Sequence, residues 1–238
     1  MTTGPGQGVR AARADRQASG RSRPGLRPGP LKWPGGSADP PAMGASVKGI
    51  FLAGAVSTVR KAIRQGRVLR EQVEARLDAG DLPFLDAKVD PTHWYPVATL
   101  GHFLDVLADL HGGDRREALI GIGRAAADMA ARTGQYQQLD RDRRAGDGPG
   151  GVLRHGRLVT SVITAFYDFS RMSFGPHPGE PDAFQIDWFD VAELPESNRH
   201  CAEGFIARVA QFASEGELRV ASERPTPDHV VFTMRAGR

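Results

Sequence analysis

The hydrophobic period changes along this chain, and that change limits the folds open to it. Between Phe51 and Met129 apolar residues recur every three or four positions, the spacing that gathers them on one face of a helix. Leu52, Val56, Val59 and Ile63 make one stripe, with Gly66 as a stop, and Leu69, Val73 and Leu77 make a second, with Gly80 beyond it. Val97, Leu100, Phe103, Leu104 and Leu107 make a third, and Leu119, Ile122, Ala126 and Met129 a fourth. Further on the period becomes two: Phe184, Ile186 and Trp188 share one face, and "ELRVASE" and "HVVFTMR" alternate on either side of a turn around "RPTPD". One more helical stretch intervenes, "LPESNRHCAEGFIARVAQFASEG", with Cys201, Phe205, Val209 and Phe212 directed inward and Gly216 at its stop. Several helices, a hairpin, a helix and another hairpin predict an α+β fold: a helical layer packed on a small antiparallel sheet of about four strands arranged as two hairpins.

The connections follow from turn chemistry. "DPTHWYPVATL", residues 90 to 100, places His93, Trp94 and Tyr95 between two prolines. Pro96 suits the first turn of a helix, where its missing N–H has no intrahelical partner. Trp94 and Tyr95 are then expected to cover the core just ahead of that helix, with Trp94 a buried anchor and His93 its polar neighbour. Asp114 is a candidate cap for the next helix, and Gly121 and Gly123 within it suggest close helix packing. "GRLVTSVITAFYDFSRMSF" begins as a helix and turns into a strand around 168 to 174, and "GPHPGEP" is a hairpin loop. "RDRRAGDGPGG", residues 141 to 151, is a surface loop.

Residues 1 to 46 are of a different kind. They hold nine Gly and seven Pro with no sustained period, too little apolar surface to offset chain entropy, so a disordered tail is expected, with the globular domain spanning 47 to 238. Three readings of the tail stand side by side: an arm that touches anionic partners, an inert extension, or upstream sequence preceding a start at Met43. The tail carries seven basic residues against Asp15 and Asp39, and the remainder carries 24 basic residues against 26 acidic ones. The basic pI of 9.3 is therefore a property of the tail, and nucleic-acid binding by the domain is not expected. No apolar run approaches the ~20 residues of a spanning helix, and no secretory signal is visible, so a cytoplasmic protein without membrane association is expected. A single cysteine, Cys201, excludes an intrachain disulfide and reads as a small helix residue.

Strong catalytic signatures are missing. The chain has no GxxxxGK[ST], HExxH, GxSxG or paired CxxC. "GIGRAA", residues 121 to 126, lies within a helical pattern and not after a strand, so it does not read as a dinucleotide loop. The seven histidines are scattered, none paired at i, i+4 for a metal. His200 and Glu203 would share a helix face beside Cys201, which reads as a polar contact at the surface and not as a general-base centre. "YDFSR", residues 167 to 171, invites comparison with the Tyr-x-Ser-x-Arg motif of haem nitric-oxide sensors. Here Arg171 directly follows Ser170, so the spacing differs. No metal, cofactor or catalytic residue is expected.

In order along the chain, "VKGIFLAGAV", "HWYP", "IGRAAA", "FYDFSRMSF" and "CAEGFIARVAQFASEGELRVASERP" resemble the landmarks of a myxobacterial paralogous family, a domain of unknown function. That family is similar in turn to the 4-vinyl-reductase-type ligand-binding domains, relatives of the haem nitric-oxide-binding and TRAPP-like folds. The resemblance implies helices over an antiparallel sheet, a homodimer in many relatives, and an apolar pocket for a small ligand. Phe166, Phe169, Phe184, Trp188, Phe205 and Phe212 are candidates to line such a pocket or to fill a core. One departure is "ASERPTPDHVVF", which lacks the cysteine pattern those relatives carry between their last strands. The function so implied is a non-enzymatic sensory or regulatory domain that binds a small apolar ligand or a protein partner. The alternative is a dimerising assembly module without a ligand, and nucleic-acid contact through the tail ranks below both.

Overall fold

A computed structural model describes residues 44–132, 156–213 and 218–236, except 158, 162 and 182. The expected tail up to residue 43, the loop at 141–151 and Gly216 lie outside the described residues. Strand β1 (Ser46–Lys48) runs straight into α1 (Gly49–Arg64), followed by α2 (Arg70–Glu74) and a 3-10 turn at Leu82–Leu85. Then come β2 (Trp94–Pro96), α3 (Val97–His111) and α4 (Arg115–Arg132). After helical turns within 156–164 the chain forms β3 (Arg171–Pro176), β4 (Ala183–Phe189), α5 (Glu196–Ala213), β5 (Leu218–Thr226) and β6 (His229–Ala236). The last four strands make one antiparallel sheet in the order β3-β4-β6-β5, and β1 and β2 pair separately. The α+β expectation holds, with its two hairpins joined through the β4–β6 pairing.

Alternation decides which face of the sheet is buried. Ile186 and Trp188 of β4 stand opposite Phe232 and Val230 of β6, and none of the four is more than 1% exposed. Tyr167 packs edge-on to Trp188 at 5.0 Å between ring centres, and Phe51 of α1 reaches Phe166 at 5.0 Å and Phe205 at 6.2 Å. The helices contribute Leu52, Val56 and Val59 from α1 and all five predicted residues of α3, each buried. Asp114 caps α4, its Oδ1 accepting the Glu117 N–H at 2.8 Å.

Three features depart from the sequence reading. First, α2 is a single five-residue turn. Val73 and Leu77 are buried, but Leu69 is 62% exposed, because it is the extended residue before the helix. Second, the buried stripe of α4 is Ala118, Leu119, Ile120, Gly123 and Ala127, while Ile122 and Ala126 are half-buried and Met129 is exposed. The face is rotated toward the residues small enough to let α5 approach. A Cβ on Gly123 would lie 1.9 Å from the Cys201 carbonyl oxygen, and one on Gly204 would lie 1.9 Å from that of Ile120. The two backbones are in contact. Gly121 faces open space, so close packing belongs to Gly123 alone of the predicted pair.

Third, the last three residues of "HWYP", Trp94–Pro96, are a strand. Ser46, Val47 and Lys48 pair with Pro96, Tyr95 and Trp94, and Pro96 immediately precedes the first residue of α3. Trp94 is only half-buried, with the Lys48 ammonium 4.0 Å above its ring. Tyr95 is the better anchored: its hydroxyl accepts the Asp90 N–H at 3.0 Å, its ring meets Phe84 edge-on at 5.5 Å, and it lies where a Cβ on Gly49 would stand. Trp94 is therefore a cover over the small sheet and not a buried anchor.

Substitutions separate these roles. Gly123→Ala and Gly204→Ala each force a methyl into backbone and are expected to cost about 3 kcal/mol in urea unfolding. Gly121→Ala, on an open face of the same helix, is expected to gain about 0.5 to 1 kcal/mol. Trp94→Ala is expected to cost about 1 to 2 kcal/mol, below the ~3–5 of a fully buried aromatic.

Candidate functional site

The α4–α5 crossing creates a cleft beside the sheet edge. Along α4, Arg116, Ile120 and Arg124 recur at i, i+4 and so share one face, and α5 presents Glu203 and Ala207 at the same spacing. Edge strand β5 adds Arg219, Val220 and Ala221, and β6 adds Arg235. Together with Glu117 these residues line a cleft of about 590 Å³. Its floor is apolar, since Ile120 and Ala207 are 5% exposed.

Glu203 is the fixed point of one wall. It is 2% exposed, which corrects its expected place at the surface. Its carboxylate accepts from Arg116 Nη2 at 2.5 Å and from Ser222 Oγ at 2.5 Å, and His200 Nδ1 lies 3.8 Å away. Burial alone would raise its pKa, but the nearby His200 ring, the hydrogen bond from Ser222 and the charge of Arg116 outweigh that and hold the carboxyl below the usual glutamate range. Arg199 completes the tie, donating to the Ser222 carbonyl at 3.0 Å and to its Oγ at 2.7 Å. The network fastens α5 to β5.

Two of the other three guanidiniums are less committed. Arg235 is bidentate to Glu180, with Nε at 2.6 Å. Among the described residues, Arg124 and Arg219 make no ion pair. Arg219 stands directly opposite Arg235 across the β5–β6 ladder, and the Glu180 carboxylate on Arg235 offsets the like charges. Spacing alone could have revealed Arg116 and Arg124. Arg219 and Arg235 become neighbours only through strand register.

A second cluster joins residues far apart in sequence. His102 of α3 places Nδ1 at 2.5 Å from Asp81 Oδ2 and Nε2 at 3.7 Å from Asp78 Oδ2, and Thr99 Oγ1 donates to the same buried Asp81 at 2.7 Å. These are the one group of His, Cys, Asp and Glu side chains among the described residues spaced for a metal ion. With each ring nitrogen already facing a carboxylate, the trio acts as a tie between α3 and the segment before the 3-10 turn.

The candidate pocket aromatics fill the core. Trp188 and Phe205 are buried, and Phe166, Phe169, Phe184 and Phe212 are partly buried against them. Cys201 is half-buried, and burial pushes its thiol up to about 12.

Comparison with known proteins bears on this architecture. No family model matches the chain, and no curated protein does. Among solved structures, an Fe(II) unliganded H-NOX protein from K. algicida superposes with a TM-score of 0.54 at 11% identity, over 80% of this chain and 97% of that one. An H-NOX protein from S. oneidensis in the Fe(II)NO state gives 0.52 at 12% identity, over 80% and 99%. A point mutant of the SO2144 H-NOX domain from Shewanella oneidensis in the Fe(II)CO state gives 0.52 at 13% identity, again over 80% and 99%. The chain has an H-NOX-like fold. At this identity the likeness concerns the fold alone.

The described residues do not fit a haem. An iron porphyrin needs an axial donor directed into an apolar cavity. Of the described histidines, His93 faces Asp90, His102 faces Asp81, His177 accepts from Gly179, His200 faces Glu203, and His229 pairs with Asp187 and stacks on Phe189. His111 is exposed, and His155 lies outside the described residues. Tyr167, Ser170 and Arg171 do not converge: Tyr167 is enclosed by Phe169 and Trp188, while Arg171 turns outward to Asp190 at 2.6 Å.

Two outcomes are expected. Asp81→Ala leaves Thr99 and His102 without their acceptor and should cost about 2 kcal/mol in urea unfolding. Because the Glu203 pKa is depressed in the folded state, its stabilising contribution is complete above the ordinary glutamate pKa and is lost as pH falls through the folded value. Unfolding free energy measured from about pH 7 down to about pH 3 should therefore fall less steeply in Glu203→Gln than in the parent protein.

Proposed function

We propose that this chain is a cytoplasmic, non-enzymatic sensory or regulatory domain that binds a small molecule in the α4–α5–β5 cleft. The observation that carries the reading is a cleft of about 590 Å³ with guanidiniums on both walls, two of them unpaired among the described residues. Small-molecule sites commonly occupy roughly 300 to 1,000 Å³ and combine an apolar lining with a few polar groups. Support also comes from the fold, since two of the H-NOX structures it resembles were solved in diatomic-ligand states, Fe(II)NO and Fe(II)CO. Aromatic packing fills the interior, which moves the expected ligand from the core to this cleft.

The non-enzymatic reading rests on the chemistry of the side chains nearby. Cys201, with its thiol pushed up to about 12, is a poor nucleophile at neutral pH, and Glu203 is already committed to Arg116 and Ser222. No described helix is long and apolar enough to cross a membrane. On its sequence landmarks we place the chain with the myxobacterial paralogous family.

Native mass spectrometry of the full chain, purified without denaturant and mixed with a metabolite library, tests the proposal. Retention of a small molecule that is lost in Ala221→Trp, where an indole would fill the cleft from the exposed edge strand, is the expected result. A protein that retains no small molecule yet forms a dimer would favour the assembly-module reading instead.

A further inference from the structure

The charge and shape of the cleft define a ligand class, an inference that rests on the ligand-binding reading above. Four arginines line it against two glutamates. Glu203 is saturated by Arg116 and Ser222, and Glu117 lies beside Arg116 at 3.6 Å, so both acidic linings belong to the Arg116 end. At the other end stand Arg124, Arg219 and Arg235, with Glu180 engaging only the last. Arg219 and Arg235 are direct cross-strand neighbours, and with Arg235 neutralised by Glu180, Arg219 keeps a charge unpaired among the described residues that a bound anion can meet. The floor between these ends, Ile120, Ala207 and Val220, offers no polar side chain.

We propose that the cleft takes an amphiphilic organic anion. Its carboxylate or phosphate-ester head is held by Arg124 of α4 and Arg219 of β5, and its apolar body lies on Ile120, Ala207 and Val220. Arg235, already bidentate to Glu180, adds field more than direct contact. Helix α4 and strand β5 both pack on α5, and the head group bridges them from the open side. Binding thus couples the helical layer to the sheet edge, and α4 leads directly into the residues beyond 132.

The probes are decanoate, decanol and inorganic phosphate, titrated calorimetrically into the full-length protein below their aggregation concentrations. Decanoate should bind at least tenfold more tightly than decanol or phosphate, and its affinity should weaken with added salt. The Arg124→Gln/Arg219→Gln double variant should lose at least tenfold in decanoate affinity while keeping the circular dichroism and melting of the parent, because both side chains are exposed. Arg124→Lys/Arg219→Lys should recover part of the loss. Equal binding of decanol and decanoate, or an unchanged double variant, overturns the anion assignment while the ligand-binding reading stands, provided that Ala221→Trp still abolishes binding. Phosphate binding as tightly as decanoate overturns the role of the apolar floor. Failure of all three probes overturns this inference alone if the metabolite screen returns another ligand, and overturns both readings if it returns none.

Discussion

Two glycines let α4 and α5 touch backbone to backbone, and the rest of the domain is arranged around that contact. Gly123 and Gly204 each point at a carbonyl of the opposite helix, with no room for a methyl. Such closeness forgoes side-chain burial at the crossing and gains dense packing along it. It also fixes the rotation of α4, so that Ala118, Gly123 and Ala127 are buried while Met129 is turned to solvent. Gly101 repeats the device on α3, where a Cβ would strike Pro195 just before α5 begins.

The cleft is a consequence of this geometry. With α4 seated directly on α5, the face carrying Arg116, Ile120 and Arg124 stands beside Glu203 and Ala207, and β5 closes the far side. Glu203 can be buried only because Arg116, Ser222 and His200 surround it. A buried carboxylate without such partners would shed its charge or destabilise the fold. The ion-paired wall is therefore structural, and at the opposite end it is Arg124 and Arg219, without an ion pair among the described residues, that stand ready for recognition.

Much of the fold was legible in the sequence. Stripes in α1 and α3 and the alternation in β4 follow directly from burial on one face. So did the Asp114 cap and the β3–β4 turn, because their chemistry is local. The register of α4 was not: Ile122, Ala126 and Met129 make a regular apolar stripe, yet the contact face is set by Gly123, whose value appears only when Gly204 is opposite. The strand at "HWYP" escaped because three residues show no periodicity, and the partner of Tyr95 lies far upstream at Val47. Site residues were harder still. Arg219 and Arg235 meet through strand register, and Asp78, Asp81 and His102 through the packing of a short segment on α3. Scattered arginines and histidines carry no spacing signal for either.

The most direct test of the cleft as the ligand site is an NMR titration of the full-length protein with decanoate, following backbone amides and arginine guanidinium N–H groups. The predicted perturbations centre on Arg124, Arg219, Ile120, Ala207 and Val220 and spread along α4, while the amides around Tyr167 and Trp188 stay still. Perturbations centred on Tyr167 and Trp188 would contradict this, since they would mean that the interior and not the arginine-lined cleft receives the ligand.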